Sequence, residues 1–94
     1  MKKLFWAFLL ISVFFLSSIY AGTDYYLDAT GGNDGNNGLS PQNAWRTIGK
    51  LNDSWSRITP GDRILLKRDT IFSDETLYIR KGGTSSNPIV IGAY

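Results

Sequence analysis

The 94 residues contain no cysteine, no histidine, one methionine and three prolines. Each absence excludes something. Without cysteine there is no disulfide staple and no lipid attachment through an N-terminal Cys. Without cysteine or histidine there is no Cys/His zinc site and no His-based catalytic triad within the chain. An excess of one charge is missing too. The formal net charge is +2, and Lys2 and Lys3 account for all of it. Residues 22–94 are balanced, so net charge gives no argument for nucleic acid or an anionic membrane as a partner. A long spanning segment is also lacking. Leu4 to Leu16 is apolar apart from Ser12, shorter than the ~20 residues that cross a bilayer.

What is present at the start has the layout of a secretory signal peptide. Lys2 and Lys3 form a positive region, Leu4 to Leu16 an apolar one, and Ser17-Ser18-Ile19-Tyr20-Ala21 a more polar exit ending in a small residue. The expectation is cleavage after Ala21 and a secreted, periplasmic or cell-surface protein, with no stable membrane span afterwards. The pI near 9 then belongs to the leader. What remains is small and unstapled. A chain of this size buries only about 60% of its unfolded surface, so it is expected to be marginal alone.

Asp24 to Asp28 reads as a short strand with Tyr25 and Leu27 on one face and Tyr26 on the other. Thr30 to Gly38 (TGGNDGNNG) is almost pure turn chemistry, in which Gly and Asn tolerate positive φ and Asx side chains bond their own backbone. Ser40-Pro41 marks a helix or turn start. Trp45, Ile48, Leu51, Trp55 and Ile58 then recur at helical spacing, which predicts a helix over roughly 44–55 with one apolar stripe. Thr59-Pro60-Gly61-Asp62 fits a type II turn. Residues 63–67, 70–72 and 76–79 read as short strands, 81–88 as a loop, and Ile89 to Tyr94 as a closing strand.

Ile64 to Ile89 and Leu66 to Ile91 are each 25 positions apart. Strands returning at such a period are the mark of a solenoid coil. Ile64 is therefore expected to stack under Ile89, and Leu66 under Ile91, about 4.8 Å apart. A terminal strand with no partner is an aggregation hazard that proteins normally blunt, so the chain is read as the front of a longer protein.

Five short motifs in this order carry a resemblance. Tyr25-Tyr26-Leu27-Asp28, Gly32-Asn33-Asp34 through Asn37-Gly38 with Ser40-Pro41, Ala44-Trp45-Arg46-Thr47-Ile48, Pro60-Gly61-Asp62 and Asn87 to Tyr94 resemble the amino-terminal entry of secreted bacterial right-handed parallel β-helix proteins, the pectate lyase-like superfamily. The fold class implied is all-β: about one coil of a right-handed parallel β-helix, preceded by a capping α-helix. The divisions are residues 1–21 (signal peptide), 22–62 (strand, Asn/Gly loop and capping helix) and 63–94 (an incomplete first coil). Helix residues Trp45, Ile48, Leu51 and Trp55 would plug the open end, as solenoid caps do.

The resemblance implies a parent that acts on acidic or neutral polysaccharide, as a lyase or a glycosidase, through coils downstream. A non-catalytic glycan-binding or adhesion β-helix is the alternative, and a remnant without activity a third. The family's catalytic and calcium-binding groups lie on later coils, and no position here matches them. No catalytic, metal or cofactor residue is assigned within this chain.

Several residues have side chains suited to chemistry. Asp28, Asp34, Asn36 and Asn37 are hard oxygen ligands of the kind calcium takes, but their spacing fits no calcium loop, and Asx turns account for them. Asp74-Glu75 and Asp69 offer carboxylates for general acid/base work, but Asp74 and Glu75 are adjacent and would face opposite ways, so a solvated turn is expected rather than a carboxylate pair. Lys67-Arg68 and Arg80-Lys81 could serve as uronate-elimination bases or keep strand ends soluble. Trp45, Trp55, Tyr25, Tyr26 and Tyr78 are aromatics that could stack on sugar rings; Trp45 and Trp55 are expected in the core, and Tyr26, on the opposite strand face from Leu27, is the best of a poor set for exposure. Asn52-Asp53-Ser54 matches a glycosylation sequon within the expected helix.

Overall fold

The computed structural model describes residues 22–94. The signal-peptide reading of residues 1–21 lies outside the described residues. Three four-residue strands, β1 (Asp24–Leu27), β2 (Arg63–Leu66) and β3 (Val90–Ala93), form one parallel sheet in the order β1-β2-β3. A short helix, α1 (Ile48–Asn52), and two 3₁₀ turns, Pro41–Asn43 and Trp55–Arg57, lie in the crossover from β1 to β2. No described helix is long and apolar enough to cross a membrane.

The solenoid-like expectation meets this sheet with one correction. β2 and β3 are parallel neighbours, but Ile64 pairs with Ile91 and Leu66 with Ala93. The offset is 27 positions, where the sequence spacing suggested 25. The reason lies just before β3. Pro88 has no N–H to give, and the Ile89 amide is already bonded to the Gly82 carbonyl at 3.1 Å. The ladder therefore opens one residue later, with Val90 N–H donating to Asp62 O. A slip of two residues preserves which face each side chain takes, so Ile64 and Ile91 still share the inner face.

The helix is shorter than its apolar spacing implied. Trp45 is not helical; it pairs with Leu27 in a parallel bridge. Asp34 holds that stretch extended, because one carboxylate oxygen accepts the amides of Arg46 and Thr47 at 2.8 and 2.9 Å. Only then does Thr47 cap α1, its hydroxyl accepting from Lys50 N–H at 3.0 Å. Ser54 donates to the Lys50 carbonyl at 2.6 Å as the helix ends. All five members of the stripe are buried nonetheless. A strand, a helical turn and a 3₁₀ turn in succession deliver them to the same core.

That core is Tyr25, Leu27, Trp45, Ile48, Leu51, Trp55, Ile58 and Ile64. Tyr25 and Trp45 stack with centroids 5.4 Å apart. Burying each large side chain contributes about 1.5–3 kcal/mol. The turn into β2 forms as read: Asp62 N–H donates to Thr59 O at 3.1 Å, and Gly61 takes φ +92°. The buried Asp62 carboxylate accepts from the amide and hydroxyl of Thr59 on one oxygen and from Thr23 N–H on the other. It thereby ties the start of β1 to the start of β2.

The strands expected at 70–72 and 76–79 do not form. Residues 67–89 make an irregular arm. Phe72, Leu77 and Ile89 pack on the core, while Ile71, Tyr78 and Ile79 face outward. Among the described residues no strand pairs with residues 70–79. Asn52 substitutes for one: its amide donates to Thr76 O and accepts from Tyr78 N–H, both at 2.8 Å.

Candidate functional site

The two edges of the sheet are treated differently. The β1 edge is closed. Tyr26 N–H donates to Gly38 O at 2.8 Å, Trp45 N–H to Tyr26 O at 2.9 Å, and Asp28 N–H to Trp45 O at 2.8 Å. The Asn/Gly loop supplies this closure. Gly38 has φ +75°, and a Cβ there would lie 2.6 Å from the Trp45 ring. Trp45 in turn donates its indole N–H to Asn36 O at 2.8 Å. Loop and tryptophan are fitted to each other.

The β3 edge is open. Val90 and Tyr94 donate their amides toward β2. By the alternation of a parallel ladder, the N–H and C=O of Ile91 and Ala93 point the other way. Among the described residues no strand lies beyond them. Side chains show the same gradient. Along the inner row, Tyr25 is 7% exposed, Ile64 0% and Ile91 38%. Leu27 is buried, Leu66 half-buried and Ala93 exposed. Among the described residues the core is covered at the β1 edge and open at the β3 edge.

The oxygen-rich loop serves itself. One Asp28 oxygen accepts the amides of Thr30 and Gly31 at 3.0 and 2.8 Å, and the other faces Lys67 Nζ at 3.5 Å. The Gly31 amide, more than any other partner, holds the Asp28 carboxyl below the usual carboxylate range. Burial pushes Asp34 upward, but hydrogen bonds from the Thr47 hydroxyl and the Arg46 and Thr47 amides outweigh it and leave it lowered. Asn36 donates to Ala44 O, and Asn37 accepts from Leu39 N–H. Among the described residues no three acidic side chains gather as a metal would require.

Glu75 is exposed beside the turn, as expected, and also has backbone partners. Its carboxylate accepts the first amides of α1, from Ile48 at 3.2 Å and Gly49 at 2.9 Å, and so latches the arm to the helix. Asp74, with φ +57°, is a turn residue. Lys81 donates to Ile58 O at 3.0 Å. The Asn52 sequon amide is committed to the arm. Neither Glu75 nor Asn52 could be assigned these roles from sequence, because both partners lie about 25 positions away in a segment without periodicity.

Of the aromatics, Trp45, Trp55 and Tyr25 are core. Tyr25 donates its hydroxyl to Arg57 O at 3.3 Å; its pKa is raised chiefly by burial, then by Asp62, with Arg57 opposing. Tyr78 is exposed. Tyr26 is half-buried on the outer sheet face, perpendicular to Tyr94 with centroids 5.1 Å apart.

No family model matches the chain. It is 39% identical over 75 residues to a lacto-N-biosidase of Bifidobacterium longum subsp. longum, a match covering 79% of this chain and 5% of that protein. It also resembles the crystal structures of a GH136 lacto-N-biosidase from Eubacterium ramulus. Against the native protein the TM-score is 0.70 at 32% identity, covering 77% of this chain and 11% of the other. Against the selenomethionine derivative it is 0.71 at 31%, covering 83% and 12%. The chain thus spans about a twentieth to an eighth of the relatives it matches. The solved relatives are glycoside hydrolases by name.

Proposed function

We propose that residues 22–94 are the N-terminal cap and first coil of a secreted right-handed parallel β-helix glycoside hydrolase acting on glycans. Residues 1–21 direct its export, and its catalytic groups lie on coils outside this chain. The observation that carries this reading is the unfinished inner row, Tyr25–Ile64–Ile91, buried at β1 and β2 and open at β3. A solenoid needs a terminal unit sealed on one side and templating on the other. The similarity to part of lacto-N-biosidases favours a glycosidase over a lyase among the activities the resemblance implied.

The test is amide hydrogen exchange. In the 94-residue chain, Ile91 and Ala93 are expected to exchange rapidly, while Leu66 and Leu27, inside the sheet, are protected. In a longer polypeptide that continues past Tyr94, Ile91 and Ala93 should become protected by several orders of magnitude as a fourth strand pairs with them. Unchanged exchange at both positions in the longer protein would refute the stacking role.

A further inference from the structure

The loop that seals the β1 edge carries a reactive peptide bond. Of the asparagines in the chain, only Asn37 is followed by glycine. In such a pair the backbone nitrogen of the second residue can close a five-membered ring on the side-chain carbonyl carbon of the first, and a glycine puts no Cβ in the way. Asn37 is exposed, so ammonia can leave and water can enter. Its Oδ1 accepts the Leu39 N–H at 2.9 Å. A donor aimed at that oxygen stabilises the negative charge that gathers there when the carbonyl carbon is attacked.

The same geometry withholds the nucleophile. Gly38 N–H donates to Asn43 O at 2.8 Å, and Gly38 O accepts from Tyr26 N–H at 2.8 Å. Gly38 also sits against the Trp45 ring at φ +75°. Ring closure turns the Gly38 nitrogen toward Asn37 Cγ, so these contacts must be released first. The Asp34-Gly35 pair nearby does not share this chemistry. The Arg46 and Thr47 amides and the Thr47 hydroxyl occupy both Asp34 oxygens and keep the carboxylate ionised, which makes it a poor electrophile. The Gly35 N–H is itself held by Asn33 Oδ1 at 2.8 Å. Asn87 is followed by Pro88, which has no N–H to give up.

We propose that Asn37 is a site of spontaneous deamidation, gated by the loop it belongs to, and that its conversion unseals the β1 edge. The Gly38 nitrogen forms a bond to Asn37 Cγ, the Cγ–Nδ2 bond breaks, and the Gly38 amide proton departs with Nδ2 as ammonia. Water, the one co-reactant, then opens the cyclic imide at either carbonyl and leaves aspartate or isoaspartate at position 37. In the isoaspartate form the main chain runs through Cβ and Cγ and is one carbon longer. Upstream of that carbon, Asn36 O holds the Trp45 indole N–H; downstream, Gly38 holds Tyr26 and Asn43. The two halves of the cover then no longer fit each other. Loss of ammonia makes the change one-way, so the seal has a lifetime set by how often the loop opens.

The test ages the 94-residue chain in mildly alkaline buffer, with and without guanidinium chloride, and maps its peptides by mass spectrometry. In denaturant, Asn37 is expected to convert ahead of every other asparagine, to a mixture of aspartate and isoaspartate. In native buffer the conversion should be at least about tenfold slower, because the reaction waits for local opening. Asn37→Gln, whose side chain would have to close a larger ring, should stay unconverted over the same period. In the isolated isoaspartate form, the Tyr26 N–H should lose exchange protection, while the Lys67 N–H, which donates to Leu27 O between β2 and β1, should lose little. Equal rates in native buffer and denaturant would overturn the gating. Conversion starting at another asparagine, or none at Asn37, would overturn the site. Unchanged Tyr26 protection in the isoaspartate form would overturn its coupling to the β1 edge.

Discussion

β1 and β3 are both four residues long, both parallel to β2, and both lie at an edge of the same sheet. One edge is sealed and the other is not. The difference does not come from the strands. It comes from residues 30–47, which bring Gly38 and Trp45 to the β1 edge and lay an indole over the end of the inner row. β3 is preceded by an arm that supplies no such cover and leaves Val90 and Ile91 exposed. Capping is thus a property of loop chemistry: glycines that admit close approach, and Asx side chains that satisfy the turns.

The largest way to break this contrast is at Trp45. Trp45→Ala removes the covering ring, its stack on Tyr25 and its bond to Asn36. Such a truncation in a core costs about 3–5 kcal/mol, a large share of what a small unstapled domain has. Urea denaturation followed by far-UV circular dichroism should show the cooperative transition lost. Retention of a wild-type midpoint would mean that the β1 edge is not what holds this unit together. Gly38→Ala should act the same way more weakly, since φ +75° and the indole both oppose a Cβ.

A smaller effect is expected at Asp34, which positions the covering segment. Asp34→Ala leaves the Arg46 and Thr47 amides and the Thr47 hydroxyl without their acceptor, a loss of about 1–3 kcal/mol. Asp34→Asn should recover part of it, because one oxygen can still accept both amides. The sign with pH follows from the lowered carboxyls. Asp34 and Asp28 titrate below their unfolded value when folded. Their contribution is therefore fully present above about pH 4 and is lost as pH falls through the folded pKa. Stability measured from pH 6 down to pH 2 should drop less steeply in Asp34→Asn than in wild type; an identical slope would remove Asp34 from the acid-sensitive set.

Much of this arrangement was legible in the sequence, and the parts that were not share a cause. β1, the Asn/Gly loop, the Pro60-Gly61 turn, β2 and a parallel return in β3 follow from local signals: alternation, turn residues and fixed φ. The members of the core stripe were legible as well, since burial depends on spacing. Their secondary structure was not. A strand bridge at Trp45 followed by α1 and a 3₁₀ turn satisfies the same intervals as one helix, and what decides is Asp34, more than ten positions upstream. The register erred by two because Pro88 and the Ile89–Gly82 bond delay the ladder. The arm forms no strand although Ile71, Tyr78 and Ile79 have strand-like character, because among the described residues no strand pairs with it. In the candidate sites, Asx turns were legible and the Glu75 latch was not, because its acceptor role appears only once α1 begins at Ile48.

The smallest effect belongs to the open edge, and it sharpens the comparison most. Ile91 occupies the same inner row as Ile64, yet is 38% exposed. In the 94-residue chain Ile64→Ala should cost about 2–5 kcal/mol, as buried isoleucines do. Ile91→Ala should cost well under half of that, because much of its surface is already wet. Ile91→Lys should be tolerated too. A lysine on an exposed edge is one of the ways natural sheets resist edge-to-edge pairing, so sedimentation at high concentration should show less self-association than wild type with little change in midpoint. Equal costs for Ile64→Ala and Ile91→Ala would mean that β3 is already covered. The asymmetry between the two edges, on which the proposed capping role stands, would then have no energetic content.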